Sequence, residues 1–503
     1  MASSSDGRAD NECQQQPETW PGSVEKVNRT AAELRRHLDH PVIDADGHFL
    51  EFMPLVDDDV VTELETVGGP ELRDRYRNGA LRLLDTAVFE ADRRRSEVVT
   101  SWQAMPSWWG NPVANGLERA TAQLPGLMYE RLDELGIDVM LIYPSWTLGF
   151  LVSADNELRA PACRAVNRHT AALFAPYRDR LRPAAIIPMH TPEEAVGELE
   201  HAVSELHFTL VLLAGYARRS LPNGAGSRLD VFGLDSAADY DPVWATCDRL
   251  RVAPVFHSSL QSVHPARAIS NYVFNHIGGI AGAHEALCKA LFLGGVYRRF
   301  PRLRFGYLEG GVMWGASLLA DLVGHWTKRG AHAICDLDPS RLDVAAVMSL
   351  AEKYGSPDVL DNASRIAEWL ARRPGRPVQL DEFATAGVAS AQDMITTFAE
   401  RSFFGCEADD PLMPFAFRLR IAGEPVGLRP MLGTDVSHWD APVMNIVLPE
   451  AYEAVDAGRV GHDEFEAFVF SHAVRLHGGM NPSFFVDTPC EREAADILRS
   501  GPP

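Results

Sequence analysis

Residues 41–48 read PVIDADGH, an apolar, β-favouring start that runs into two aspartates, a glycine and a histidine. In an extended strand, residues two apart point the same way, so Asp46 and His48 are expected to aim at one point. Gly47 between them adds no bulk and permits unusual backbone angles. An acid-x-His pair alone is a weak signal, and its meaning depends on the strands around it.

Seven further short apolar runs follow: VMLIYPS (139–145), LRPAAIIPM (181–189), FTLVLLAG (208–215), VAPVFHS (252–258), LRFGYLEGG (303–311), RSFFGCE (401–407) and RPMLGTD (429–435). Helix-like segments alternate with them, which is the pattern of parallel βα units. After the third run, TPEEAVGELEHAVSEL opens with a capping threonine, Thr191, and carries Glu194 at the third helical position. Eight such units predict an α/β chain folded as a (β/α)8 TIM barrel. Two connections are too long for simple loops, at about 53–125 and 327–400, the second mainly helical. In a barrel, long βα loops lie over the catalytic face, so both are expected to form a lid. Trp102, Trp108 and Trp109 lie in the first insertion and are candidates to line a substrate pocket or to anchor the lid.

Composition narrows the classes. The chain has 503 residues, 46% hydrophobic, with 10 Trp and 23 Phe, enough for one large barrel with insertions over residues 26–503. Its formal net charge of −22 argues against a nucleic-acid partner, and the cluster Arg93-Arg94-Arg95 reads as a solvated helix face. Seven scattered cysteines, with no CxxC pair, indicate neither a disulfide framework nor a zinc ribbon and fit a reducing cytoplasm. Residues 1–25 are polar, without the apolar core of a signal peptide, and are expected to form a disordered tail. No apolar run approaches the roughly 18 residues that a membrane span needs.

The chemistry sits at the strand ends. The first strand ends in Asp46 and His48, the fifth in His257, the sixth in Glu309 and the eighth in Asp435. Barrel strand C-termini converge on one face, so these groups are expected to meet. Burying three carboxylates together without a cation is costly, because they repel and each loses hydration. A divalent ion resolves that cost, and mixed imidazole and carboxylate ligation suits Zn²⁺, Mn²⁺ or Fe²⁺. Past the eighth strand, His438 is placed to stabilise a developing oxyanion or to support the loop. His264 and His284 lie above the expected mouth as candidate substrate contacts. Cys406 has no evident base partner and is not expected to be a nucleophile.

VIDADGHFLEF, VFHSS, FPRLRFGYLEGGVMWGASLLADLVGHW, MLGTDVSHWDAP and RLHGGMNPSFF together resemble the amidohydrolase-related family that includes aminocarboxymuconate-semialdehyde decarboxylase. The resemblance runs from about residue 41 to 485, interrupted by the two insertions. It implies a distorted barrel holding one divalent metal at the strand C-termini, a small-molecule substrate, and a homodimer as in many relatives. The family's H-x-H falls on Asp46-Gly47-His48, its strand-five ligand on His257, and its strand-eight aspartate on Asp435. Where many members carry a histidine after strand six this chain has Glu309, which could also recruit a second metal.

Two reactions fit such a site. For hydrolysis of an amide, ester or thioester, a metal-bound water attacks while Asp435, with Glu309, shuttles its proton. For non-oxidative decarboxylation of an aromatic or unsaturated acid, Asp435 or Glu309 delivers a proton to the carbon that loses CO₂. Asp46 in place of histidine slightly favours decarboxylation, by analogy with aromatic-acid decarboxylases of the family, but the carboxylate at 309 and the enlarged lid favour hydrolysis of a bulky acyl substrate, which is the expected reaction.

Overall fold

The computed structural model describes residues 29–78, 115–257, 266, 268–330, 333–372 and 379–501. Eight parallel strands pair in chain order: β1 (Ile43–Phe49), β2 (Val139–Pro144), β3 (Leu181–Ile187), β4 (Leu210–Leu213), β5 (Pro254–Phe256), β6 (Phe305–Tyr307), β7 (Ser402–Glu407) and β8 (Arg429–Gly433). Seven lie inside their apolar runs, and β1 extends one residue past its run, to Phe49. Their residues are almost all buried, as expected where helices cover the outside of a parallel sheet and side chains fill the inside.

The ring closes at the C-terminal ends of β1 and β8. Asp435 N–H donates to Asp46 O at 3.0 Å, and His48 N–H donates to Val436 O at 3.0 Å. Side chains reinforce this seam, since Asp44 Oδ1 accepts from Thr434 N–H (3.0 Å) and Asp46 N–H (3.1 Å), and Oδ2 from the Thr434 hydroxyl (2.5 Å). The first and last strands are therefore tied together at the candidate site residues.

Helix signals act as the sequence suggests. Thr191 caps helix Pro192–Glu200 by accepting from Glu194 N–H at 3.2 Å. The Glu194 carboxylate does not return the bond. It instead clamps the buried Arg159 guanidinium of helix Asn156–Phe174 through contacts of 2.6 and 2.8 Å.

The described part of the first insertion contains helix Met53–Arg77, broken at Gly69 and Pro70, and helix Gly116–Gln123. The longer helix buries Val56, Val60 and Leu64 and packs along helix Asn156–Phe174. In the second insertion, helices Val344–Tyr354, Pro357–Asp361 and Ala363–Ala371 pack on one another and contain no buried residue. Two antiparallel ribbons, Ala217–Ser220 with Ser227–Asp230 and Leu419–Ile421 with Glu424–Val426, are additions that the strand pattern did not predict. The expected tail, Trp102, Trp108, Trp109 and His264 lie outside the described residues. Among the described residues no helix is long and apolar enough to cross a membrane, and the cysteines are free thiols.

Candidate metal centre

Asp46 and His48 converge, but not by simple alternation. β1 pairs Asp44 with Met140 and Gly47 with Ile142, so one extra residue is accommodated between them. This bulge re-aims Asp46, as bulges near active sites commonly do. Gly47 serves here through its small size rather than through unusual backbone angles: its φ is not positive, and a Cβ would lie 2.7 Å from Met140 Cγ and 2.8 Å from Asp44 Oδ2. Gly433 on β8 plays the matching part, because a Cβ there would meet the Asp46 Cβ at 2.8 Å.

Around this pair the strand ends meet. His48 Nε2 lies 3.4 Å from Asp46 Oδ1 and 3.3 Å from Asp435 Oδ1. The His48 ring stacks on His438 at 4.0 Å and meets His257 edge-on at 4.8 Å. His438 Nδ1 lies 2.6 Å from Asp435 Oδ1, and its Nε2 lies 2.9 Å from Ser145 Oγ. Glu51 holds the loop after β2 that carries Ser145, accepting from the N–H groups of Ser145, Trp146 and Thr147. Two overlapping sets have ligand atoms within 4.8 Å of one another: Asp46, His48 and His257, and His48, Asp435 and His438.

Asp435 and Glu309 both adopt left-handed backbone, with φ of 47° and 56°. Such residues cost on the order of 1–3 kcal/mol each and gather where a site dictates geometry. Glu309 belongs to neither set. Its Oε2 lies 2.8 Å from His257 Nε2 and its Oε1 3.7 Å from His276 Nε2, so it is placed to hold imidazoles rather than to join the set around His48.

The electrostatics are those of a site built around a positive charge. Asp46, His48 and Asp435 are at most 2% exposed. Burial, with Glu309 and other acids close by, holds the Asp46 and Asp435 carboxyls well above their usual range. Burial, with His438 and His257 beside it, holds the His48 imidazole well below its usual value. At His257 burial acts the same way, but the Glu309 and Asp46 carboxylates outweigh it and raise the imidazole to about 9. Buried Asp46 Oδ1, both His48 nitrogens, His257 Nε2 and both Asp435 oxygens have no aligned hydrogen-bond partner among the described residues. Buried polar atoms are nearly always partnered, so this convergence of oxygens and imidazole nitrogens fits a divalent cation.

Several neighbours escaped the sequence reading. Asp44 bonds the seam beneath the site, and burial raises its carboxyl to about 6. Asp440 sets a carboxylate beside Asp435 that helps hold the Asp435 carboxyl up. Glu407 ends β7, where burial and the charges of Asp440 and Glu309 push it up to about 9. Its position at a strand end is the same signal that singled out Glu309. Burial holds the Cys406 thiol well above its usual range, which disfavours the thiolate. His284 departs from its expected place at the mouth. It is fully buried, and its Nε2 lies 2.6 Å from Leu308 O, so it braces the backbone turn before Glu309.

The Amidohydrolase family signature matches residues 43–372, and the chain belongs to that family. Two curated relatives are gamma-resorcylate decarboxylases. The one from Polaromonas sp. strain JS666 is 27% identical over 190 residues, 36% of this chain and 56% of that protein. The one from Rhodococcus jostii strain RHA1 is 28% identical over 162 residues, 31% of this chain and 48% of that protein. The chain thus spans about half the length of the curated relatives it matches. Among solved structures, an amidohydrolase from Mycobacterium avium subsp. paratuberculosis K-10 superposes with a TM-score of 0.51 at 15% identity, covering 88% of this chain and 100% of its own. That likeness shows the shared barrel.

Proposed function

We propose that the protein is a metal-dependent, non-oxidative decarboxylase of an aromatic or unsaturated carboxylic acid. The observation that carries this reading is the largely buried acid and imidazole cluster at the β1–β8 seam. A substrate carboxylate brought there loses its hydration, and loss of CO₂ spreads the charge that desolvation penalises. Acyl hydrolysis, which Glu309 and the insertions favoured in the sequence, gives way because both curated relatives described above are decarboxylases.

Asp46, His48, His257 and Asp435 would hold the ion, with His438 adjoining. When bound, the ion supplies a positive charge that anchors the substrate carboxylate and a neighbouring oxygen. Asp435 delivers a proton to the carbon that loses CO₂. The C–C bond breaks, its electron pair stays on that carbon, and the pair takes up the proton. His438, 2.6 Å from Asp435 Oδ1 and hydrogen-bonded to Ser145, returns a proton to Asp435. Glu309 holds His257 in position.

The test is a panel of aromatic carboxylic acids and acyl substrates, each run in D₂O and in ¹⁸O-labelled water. Decarboxylation releases CO₂ and places deuterium on the vacated carbon, and Asp435→Asn removes at least about 100-fold of the rate, the range general acids contribute. Appearance of ¹⁸O in a product carboxylate would instead establish hydrolysis.

A further inference from the structure

At the opposite end of the barrel, where β6, β7 and β8 begin, a cavity of about 670 Å³ opens. Arg304 precedes β6, Arg401 precedes β7, Arg429 starts β8 and Arg475 comes from helix His472–Met480, and all four residues line it. Among the described residues, none of the four forms an ion pair with an acid. Arg304 bonds Arg475 O, Arg401 bonds Tyr297 O, Arg475 bonds Gly501 O, and Arg429 lies 5.2 Å over the Phe403 ring. Among the described residues two acids line the cavity, and Asp248 is already engaged by Arg302 in a bidentate pair at 2.9 and 2.6 Å, which leaves Glu400.

Arg429 is buried, and the other three are half-buried. Arg429 is 8% exposed, and burial together with Arg304 and Arg475 lowers its guanidinium to about 10. Burial likewise lowers Arg304, Arg401 and Arg475. Gly479 makes the arrangement possible, since a Cβ there would collide with the Arg304 guanidinium. In a chain of net charge −22, gathering unpaired cations around one cavity is unfavourable unless an anion completes it. Guanidinium forks match phosphate oxygens in pairs, and several forks around so wide a cavity suit an anion larger than a single tetrahedral ion.

We propose that this cavity at the N-terminal mouth of the barrel binds a diphosphate group, free or carried by a nucleoside, through Arg304, Arg401, Arg429 and Arg475. The site lies at the other end of the strands from the acid–histidine cluster, and the proposal is independent of the reaction catalysed there.

Isothermal titration of the metal-loaded protein with pyrophosphate, ADP and orthophosphate tests it. Pyrophosphate is expected to bind at one site per chain and at least tenfold more tightly than orthophosphate. ADP binding as tightly as pyrophosphate would assign the nucleoside-borne form, and ADP binding more weakly the free form. Arg304→Gln and Arg475→Gln should each weaken pyrophosphate binding at least tenfold while leaving turnover unchanged. Gly479→Ala, which keeps every charge but displaces Arg304, should weaken it as well. Absence of binding at millimolar pyrophosphate in low salt overturns the proposal. So does binding that survives both arginine substitutions, which would place the anion on the metal, and so does equal affinity for all three anions.

Discussion

Asp46 combines features that are hard to reconcile in a metal-free core: a buried carboxylate, an unpartnered Oδ1, and Glu309, Asp44 and Asp440 among the charges acting on it. Replacing it with asparagine keeps the shape and removes one of the repelling charges. Asp46→Asn is therefore expected to stabilise the metal-free protein by about 1–3 kcal/mol, the scale of an uncompensated buried polar group. The same substitution should sharply lower metal content. Urea denaturation of the metal-stripped proteins, with metal analysis of the loaded ones, checks both effects, and a less stable metal-free variant would contradict this view. The role of Asp46 was visible in the motif, but that of Asp44 was not. Two residues earlier on a regular strand it would share the face of Asp46, and only the bulge turns it to Thr434 at the seam.

At the scale of elements, helix His472–Met480 illustrates how burial sets a pH dependence. His477 is fully buried, stacks on Phe484 at 4.7 Å, and is lowered by burial from 6.5 to about 3. Its folded form is neutral, so the unfolded chain binds the extra proton once the pH falls below 6.5. Stability from this site is whole above that pH and is lost progressively as the pH drops towards about 3, at roughly 1.4 kcal/mol per pH unit. His477→Phe should flatten the fall in unfolding free energy between pH 6 and pH 4 by about that slope. An unchanged pH profile would show that His477 titrates normally. His472 adds a parallel contribution, with its Nδ1 2.6 Å from Pro430 O and its imidazole lowered to about 3, so the variant should flatten the profile without abolishing its slope. The elements themselves were largely legible: each barrel strand falls on its apolar run, β1 passing its end by one residue, and Thr191 caps its helix. The two antiparallel ribbons escaped because their strands are short and partly exposed, with no sustained alternation to mark them.

For the whole molecule, a cation at the β1–β8 seam would lock the point where the barrel closes. Ligands from β1, from the end of β5 and from the end of β8 would be joined by one ion that the unfolded chain binds poorly. Binding of this kind stabilises by about 2.7 kcal/mol when the free ion is at 100 times its Kd. Chelation should accordingly lower the thermal midpoint by several degrees and abolish turnover, and re-addition of Mn²⁺, Zn²⁺ or Fe²⁺ should restore both. A midpoint indifferent to chelator would mean that the cluster holds no structural charge.

The eight strands, their parallel order and the ends from which Asp46, His48, His257, Glu309 and Asp435 project are written in the chain's local pattern. Those follow from local apolar runs and from the rule that barrel strands share one C-terminal face. Tertiary structure decided how these groups divide: which atoms converge around His48, that Glu309 instead holds His257 and His276, and that His284 braces a turn from within the core. It also brought Arg304, Arg401, Arg429 and Arg475 to one cavity from positions up to 171 residues apart. No local pattern carries that information, because distances between side chains on different strands depend on register, bulges and barrel closure rather than on spacing along the chain.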